Sequence, residues 1–296
     1  MKQAIIDIGS NSMRLTLYEV EGKTFRILFR EKNMAALASY VEKGALTKEG
    51  IACACTGLRG FRETLDSLGI AHTAVFATAS LRNISNTDEA LRRIRAAVGW
   101  DVEVISGKEE ALLSYRGAMR ELAMDSGAFI DIGGASTEVV TFEAGKAVDW
   151  ASFPVGSLSL YRSCVKKILP GDGSLKRIGA AIEEALEDGF PEGKRSPLVC
   201  VGGTARAVLK LANQAYGLPD CNRSVDARGL SGLEELLCSG SREASDLILK
   251  LIPDRIHTIV PGFLILHHIF RLFGSEKIVV SQYGVREGYL CRMLEQ

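Results

Sequence analysis

Several signatures of common chemistries are missing from this 296-residue chain. Its seven cysteines, Cys53, Cys55, Cys164, Cys200, Cys221, Cys238 and Cys291, form no CxxC pair and no zinc-site spacing, and an odd, scattered set reads as free thiols in a reducing compartment. The four histidines include no HExxH, so any metal bound here is expected to be a hard cation on oxygen ligands. Neither a GxxxxGK[ST] phosphate loop nor a strand-to-helix GxGxxG is present. Charge of one sign is not in excess: 36 Lys+Arg balance 36 Asp+Glu, so no overall field points to nucleic acid and a polyanion site has to be a local patch. Long apolar runs are lacking too. "MKQAIIDIGS" reaches Asp7 too soon for a secretory h-region, which predicts a cytoplasmic protein. "IVPGFLILHHIF" is broken by Pro261, Gly262 and two histidines, short of the ~18–20 residues of a membrane span. It reads as a core helix, with no membrane association. With 47% hydrophobic residues and only 7 prolines the chain is an ordinary globular one, and its length suggests two domains, since single cores stop growing near ~250–300 residues.

What the sequence does contain is a phrase said twice. "AIIDIGSNSMRLTLYEVEGK" begins at residue 4 and "FIDIGGASTEVVTFEAGK" at residue 129. Each reads as a strand, a small-residue turn, a second strand, a glycine turn and a third strand. Counted from Asp7 and Asp131, Gly9 matches Gly133 and Ser12 matches Ser136, while the later turn glycines Gly22 and Gly145 differ by one place. An Asp ending a buried strand, followed by Gly and small polar residues, leaves backbone N–H groups open to an anion. Two such hairpins, one per lobe, are expected to face each other across a cleft, with the aspartates giving oxygens to a divalent ion. A single DxG is as easily a plain turn. Duplication favours the phosphate reading.

Four further stretches bear on chemistry. In "EVISGKEEALLSYRGAMREL" a helix starts at Ser106, and Ser106 with Glu109 forms a capping box, which gives Glu109 a structural job. Glu110 has none beyond a favourable charge on the helix dipole, and is the candidate general base for in-line attack of water on phosphorus. "VFATASLRNISNTDEALRRI" predicts a strand, a loop holding Arg82, and a helix capped near Asn86 or Thr87; Arg82 there suits a bidentate clamp on phosphate or an ordinary ion pair. "CVGGTARAVLKLAN" predicts a strand, two glycines and a helix with Thr204 as N-cap, either an anion-friendly helix start or tight packing. "VSQYGVREGYLCRML" predicts a strand and a closing helix that ties the lobes together. The spacing of Arg242, Arg255, Arg271, Arg286 and Lys250 assigns them nothing.

Six ordered motifs, "IDIGSNSMRL", "ATASLRNISN", "ISGKEEALLSYRG", "IDIGGASTE", "VGGTARAV" and "VSQYGVREGYL", resemble the exopolyphosphatase/guanosine pentaphosphate phosphohydrolase (Ppx/GppA) family over nearly the whole chain. The resemblance implies an α/β fold of two ribonuclease-H-like lobes, as in actin-like ATPases and sugar kinases, divided as residues 1–121 and 122–296 with the last helix packing back on the first lobe. It implies release of terminal phosphate from polyphosphate or guanosine pentaphosphate with Mg²⁺ or another divalent cation, no nucleic-acid partner, and a homodimer as an allowed assembly. By position, Asn11, Ser12, Arg82, Gly133, Gly134 and Ser136 would bind phosphate, Glu110 would be the base with Glu109 as second candidate, and Asp7 and Asp131 would hold the ion.

The chain departs from the family in two places. Ala135 replaces the third glycine of DIGGGS, where a Cβ narrows the approach to phosphate and disfavours positive φ. "PVGSLSLYR" carries Ser159 where an arginine is often found. The resemblance is to a short form without the helical C-terminal domain of long members, which would be expected to hold fewer phosphates at once. These departures keep open a non-catalytic sensor that binds polyphosphate or a guanosine nucleotide and signals by lobe closure. A kinase is the nearer enzyme rival, without an evident acceptor-binding insertion.

Overall fold

The computed structural model describes residues 1–295 as a mixed α/β chain in two compact units, residues 1–110 with those from Arg286 on, and Ala111–Val285. In the first unit β1 (Lys2–Ile8), β2 (Met13–Glu21) and β3 (Thr24–Asn33) form an antiparallel meander. A small hairpin, β4 (Val41–Glu42) and β5 (Ala45–Leu46), leads to α1 (Lys48–Ser67), β6 (Thr73–Ala77), α2 (Ala79–Arg82), α3 (Thr87–Val98), β7 (Val102–Val104) and the start of α4 (Gly107–Leu122). The sheet runs β3-β2-β1-β6-β7, with β6 parallel to β1 and β7 parallel to β6.

The second unit repeats the plan. After the rest of α4 come β8 (Gly127–Ile132), β9 (Thr137–Glu143), β10 (Lys146–Phe153), α5 (Ser157–Cys164), α6 (Asp172–Leu186), β11 (Leu198–Val201), α7 (Gly202–Ala215), β12 (Ser224–Asp226), α8 (Ala227–Cys238), α9 (Arg242–Leu251), α10 (Ile259–Leu272) and β13 (Lys277–Val280); α11 (Val285–Met293) closes the chain. The order is β10-β9-β8-β11-β13-β12. In each sheet three antiparallel strands are followed by two parallel ones beyond the first strand, β6 and β7 in one and β11 and β13 in the other, which is the ribonuclease-H-like arrangement expected of both halves; β12 adds an antiparallel edge to the second.

Strand composition explains strand position. Ala4, Ile5, Ile6 and Ile8 of β1 are wholly buried, a continuous apolar run suited to a central strand covered on both faces. β3 alternates exposed with half-buried residues, as an edge strand does. α10 is the core helix expected of "IVPGFLILHHIF": Ile259, Phe263, Leu266 and Ile269 are buried, and Pro261 lies in the first turn, where its missing N–H leaves no bond unmade. No helix among the described residues is long and apolar enough to cross a membrane.

The division between units falls inside α4 and not at its end at Leu122. Ala111, Tyr115 and Ala118 of α4 pack with Phe129, Val140 and Phe142, which commits the helix beyond its first turn to the second sheet. α11 is bound to the first unit. There Arg286 Nη1 donates to Thr16 Oγ1 at 2.6 Å and Tyr18 Oη donates to Glu287 Oε1 at 2.8 Å, both on β2. Burial raises the Tyr18 pKa well above its ordinary value, so the phenol remains a donor.

Candidate functional site

The duplicated phrase folds into two turns of the same register. Ile8 pairs with Met13 across β1 and β2, and Ile132 with Thr137 across β8 and β9, so residues 9–12 and 133–136 form matching turns. A Cβ on Gly9 would lie 2.9 Å from the Ser12 carbonyl oxygen, and one on Gly133 would lie 3.0 Å from that of Ser136. Neither glycine has positive φ; each is there because the chain three residues on passes too close for a side chain. Ser12 and Ser136 are buried, and Asn11, Gly133 and Gly134 half-buried. Asp7 is buried at the end of β1 opposite Arg14, and Asp131 is half-buried at the end of β8 opposite Glu138.

In the second unit the turn is held from behind by α5. The backbone N–H of Ser157 donates to the Gly133 carbonyl at 3.0 Å, and those of Leu158 and Ser159 donate to the Gly134 carbonyl, each at 2.9 Å. The orphan donors of a helix start thus fix the turn's carbonyls on the α5 side. A Cβ at Gly156 would lie 2.5 Å from the Ala135 nitrogen, so only glycine admits this contact. Ser159 reaches back to the start of α5, its hydroxyl accepting from the Gly156 N–H at 3.0 Å. Ala135 takes negative φ, which removes the conformational objection to alanine in this turn. Asp131 Oδ2 accepts from Ser114 Oγ at 2.9 Å, while Gly202, at φ +83°, leaves space that a Cβ would fill 2.6 Å from Asp131 Oδ1. Burial, with Asp131 nearby, pushes the Cys200 thiol up and keeps it inert.

In the first unit Arg82 and Glu110 meet. Arg82 Nη1 donates to Glu110 Oε2 at 2.7 Å and to the Ile105 carbonyl at 3.1 Å. Its Nη2 and Nε make no hydrogen bond among the described residues, which leaves two donor nitrogens for an oxyanion. Glu110 is buried in the first turn of α4. Glu109 is spent on the cap: its Oε2 accepts from the Ser106 N–H and hydroxyl, each at 2.9 Å, and the Glu109 N–H donates to Ser106 Oγ at 3.2 Å. Those bonds, the backbone one foremost, hold the Glu109 carboxyl below its ordinary pKa.

Three local expectations are corrected. Arg82 ends the short helix α2 and does not sit on a loop, because Leu81 and Arg82 donate their N–H groups to the Thr78 carbonyl. Thr204 is no N-cap: α7 begins at Gly202, whose positive φ turns the chain sharply out of β11, and Thr204 is buried inside the helix. Asn86 stands at the N-cap of α3 but binds Leu46 instead, and Thr87 Oγ1 donates to the carbonyls of Leu81 and Ile84. Two residues escaped the sequence reading. Glu138 is buried at 1% exposure beside Asp131, accepting from Ser152 Oγ at 3.0 Å; its signal was the terminal glutamate of "IDIGGASTE". Arg255 lies across Gly203, where any Cβ would collide with its guanidinium, and that group makes no hydrogen bond among the described residues. Only tertiary structure brings it there.

The arrangement matches known proteins throughout its length. The Ppx/GppA phosphatase family profile matches residues 16–296. Exopolyphosphatase 1 of Mycobacterium tuberculosis is 24% identical over 100% of this chain and 89% of that protein. Guanosine-5'-triphosphate,3'-diphosphate pyrophosphatase of Vibrio vulnificus is 28% identical over 99% of this chain, which spans 59% of that longer protein. Among solved structures, an exopolyphosphatase from Cytophaga hutchinsonii superposes with a TM-score of 0.88 at 25% identity, covering 100% of this chain and 98% of that one. With a family profile matching residues 16–296 and curated phosphate-releasing hydrolases among its relatives, the chain belongs, as a hydrolase, to the Ppx/GppA phosphatase family.

Proposed function

We propose that this hydrolase releases terminal phosphate from inorganic polyphosphate, guanosine pentaphosphate or both, by in-line attack of a water activated by Glu110. The observation that carries the reading is the 2.7 Å contact between Arg82 and Glu110. It aims a buried carboxylate that has no capping duty, while the remaining guanidinium donors suit a phosphoryl oxygen. Asn11 and Ser12 within the first unit, and Gly133, Gly134 and Ser136 within the second, each form a turn whose small residues and backbone N–H groups suit a phosphate. Arg255, a cation whose burial lowers its pKa, adds charge beside Gly203 at the start of α7.

A hard divalent cation fits the residues present. Among the described residues no group of three His, Cys, Asp or Glu could hold a metal by itself. Separate carboxylates such as Asp7 and Asp131 suit Mg²⁺, which keeps its waters and takes substrate phosphates as ligands. The ion would neutralise charge on the phosphoryl group and leaving phosphate. Glu110 accepts the proton of the attacking water, and Arg82 orients Glu110 and the phosphoryl oxygens.

Phosphate release measured with Mg²⁺ on short-chain polyphosphate, long-chain polyphosphate and guanosine pentaphosphate, with Glu110→Gln as blank, tests this. Release that vanishes in the blank supports the hydrolase and ranks its substrates. Tight binding without release would establish the sensor instead.

A further inference from the structure

The segment that carries Glu110 is held at both ends by arginines, and the second of these comes from the far end of the chain. Arg82 grips the Ile105 carbonyl and Glu110. Arg292, on α11, grips the same segment from outside: its Nη2 donates to both carboxylate oxygens of Glu103, at 2.8 and 2.6 Å, and its Nη1 lies 3.6 Å from Glu109 Oε1. Glu103 is on β7, three residues before Ser106, and Glu109 closes the capping box that starts α4. One guanidinium therefore spans the strand end and the first helical turn between which the chain bends to present Glu110.

The guanidinium is itself fixed. It lies over the Tyr289 ring at 4.5 Å from the centroid, and Tyr289 Oη donates to Glu103 Oε2 at 2.6 Å. The Tyr289 ring stacks on Phe76 of β6 at 4.7 Å between centroids and 18° between planes, and Phe76 is wholly buried. Burial, then the Glu103 carboxylate, pushes the Tyr289 pKa up to about 12, so the phenol stays a donor at any working pH. A planar fork clamped between a carboxylate and an aromatic face is pre-organised in a way a lysine ammonium is not.

We infer that Arg292 is a positioning residue for phosphate release: with Glu103 and Tyr289 it sets the direction in which β7 delivers the first turn of α4, and so places Glu110. The inference rests on the proposed role of Glu110. A catalytic carboxylate must be held within a fraction of an ångström, and small misplacements by remote changes cost about ten- to a hundredfold in rate. The turn at 9–12 is not built on this brace, so the larger effect falls on kcat and the smaller on KM.

The test compares wild type, Arg292→Ala, Arg292→Lys, Glu103→Gln and the Arg292→Ala/Glu103→Gln double variant, by kcat and KM for tripolyphosphate with Mg²⁺, beside circular dichroism and melting temperature. Expected are a loss in kcat of about tenfold in each single alanine or glutamine variant with KM changed less than twofold, partial recovery in Arg292→Lys, and no further loss in the double variant. A folded Arg292→Ala with wild-type kcat overturns the inference, as does a pure KM effect. If Arg292→Ala does not fold, the milder Arg292→Lys and Glu103→Gln decide by the same split. Wild-type activity that survives Glu110→Gln in the same assay would defeat the reading of Glu110 and, with it, this one. An inactive Glu110→Gln beside a fully active Arg292→Ala would defeat the brace alone.

Discussion

Two adjacent glutamates open α4, and their surroundings divide the work between them. Glu109 has one oxygen on the Ser106 N–H and hydroxyl and the other facing Arg292, whereas Glu110 is turned to Arg82. Glu110→Gln is expected to lower phosphate release by about 10²–10⁴ while polyphosphate binding, followed by calorimetry, persists. Glu109→Ala is expected to cost about 0.5–2 kcal/mol of stability as a lost cap, with only a few-fold change in kcat. The pH dependence gives an independent check. Because folding lowers the Glu109 carboxyl from its ordinary value of 4.5, its contribution is present above that value and lost as pH falls through the lower folded one. Urea midpoints of wild type and Glu109→Ala should therefore converge in acid and differ at neutral pH. Gly133→Ala is a third case: its Cβ at 3.0 Å from the Ser136 carbonyl opens the turn, so KM should rise with secondary structure unchanged.

Helix α11 illustrates how an element is held by polar contacts and not by an apolar stripe. Its buried residues include Arg286 and Glu287 as well as Tyr289 and Leu290, and the first two are satisfied on β2 by Thr16 and Tyr18. Removing a donor from a buried carboxylate costs about 1–3 kcal/mol. Tyr18→Phe should accordingly lower stability by that amount in urea denaturation, with kcat and KM unchanged; equal stability would mean that Glu287 is served by other groups. α5 makes a different use of its polar groups, spending its N-terminal N–H groups on the carbonyls of Gly133 and Gly134. The departure from the family at 154–162 is thus a device that secures the second turn, and Ser159 has its own place in it as a capping residue.

Each sheet has its own apolar core: Ile6, Leu15, Leu58 and Ile94 among others in the first unit, Ile130, Val208, Phe263 and Ile278 among others in the second. Two separately cored units need not melt together. Calorimetry without ligand is expected to give a van't Hoff enthalpy below the calorimetric one, and a clean two-state transition would contradict this. Polyphosphate with Mg²⁺ should raise the melting temperature, and removal of the ion with EDTA should abolish the shift, since stabilisation follows the bound fraction, about 2.7 kcal/mol at a hundredfold excess over Kd.

The internal repeat, the strand runs, the capping box at Ser106 and the pair of DxG turns were legible in the residues themselves, because each depends on neighbours within a few positions. Alternation, burial runs and turn chemistry are local, and they carried the repeat and its strands, while the fold class and most of the candidate site residues came with the resemblance to the Ppx/GppA family. The rest could not be read that way. That Ala135 sits without backbone strain depends on a dihedral, that Gly203 makes way for Arg255 depends on a residue from another segment, and that α4 changes unit after its first turn depends on Tyr115 finding Phe129 and Phe142. Arg292 is the extreme case, a surface-looking arginine near the end of "YLCRML" that tertiary packing sets against Glu103 and Glu109. Contacts between residues distant in the chain leave no periodicity behind, so only the folded molecule reveals which charges meet.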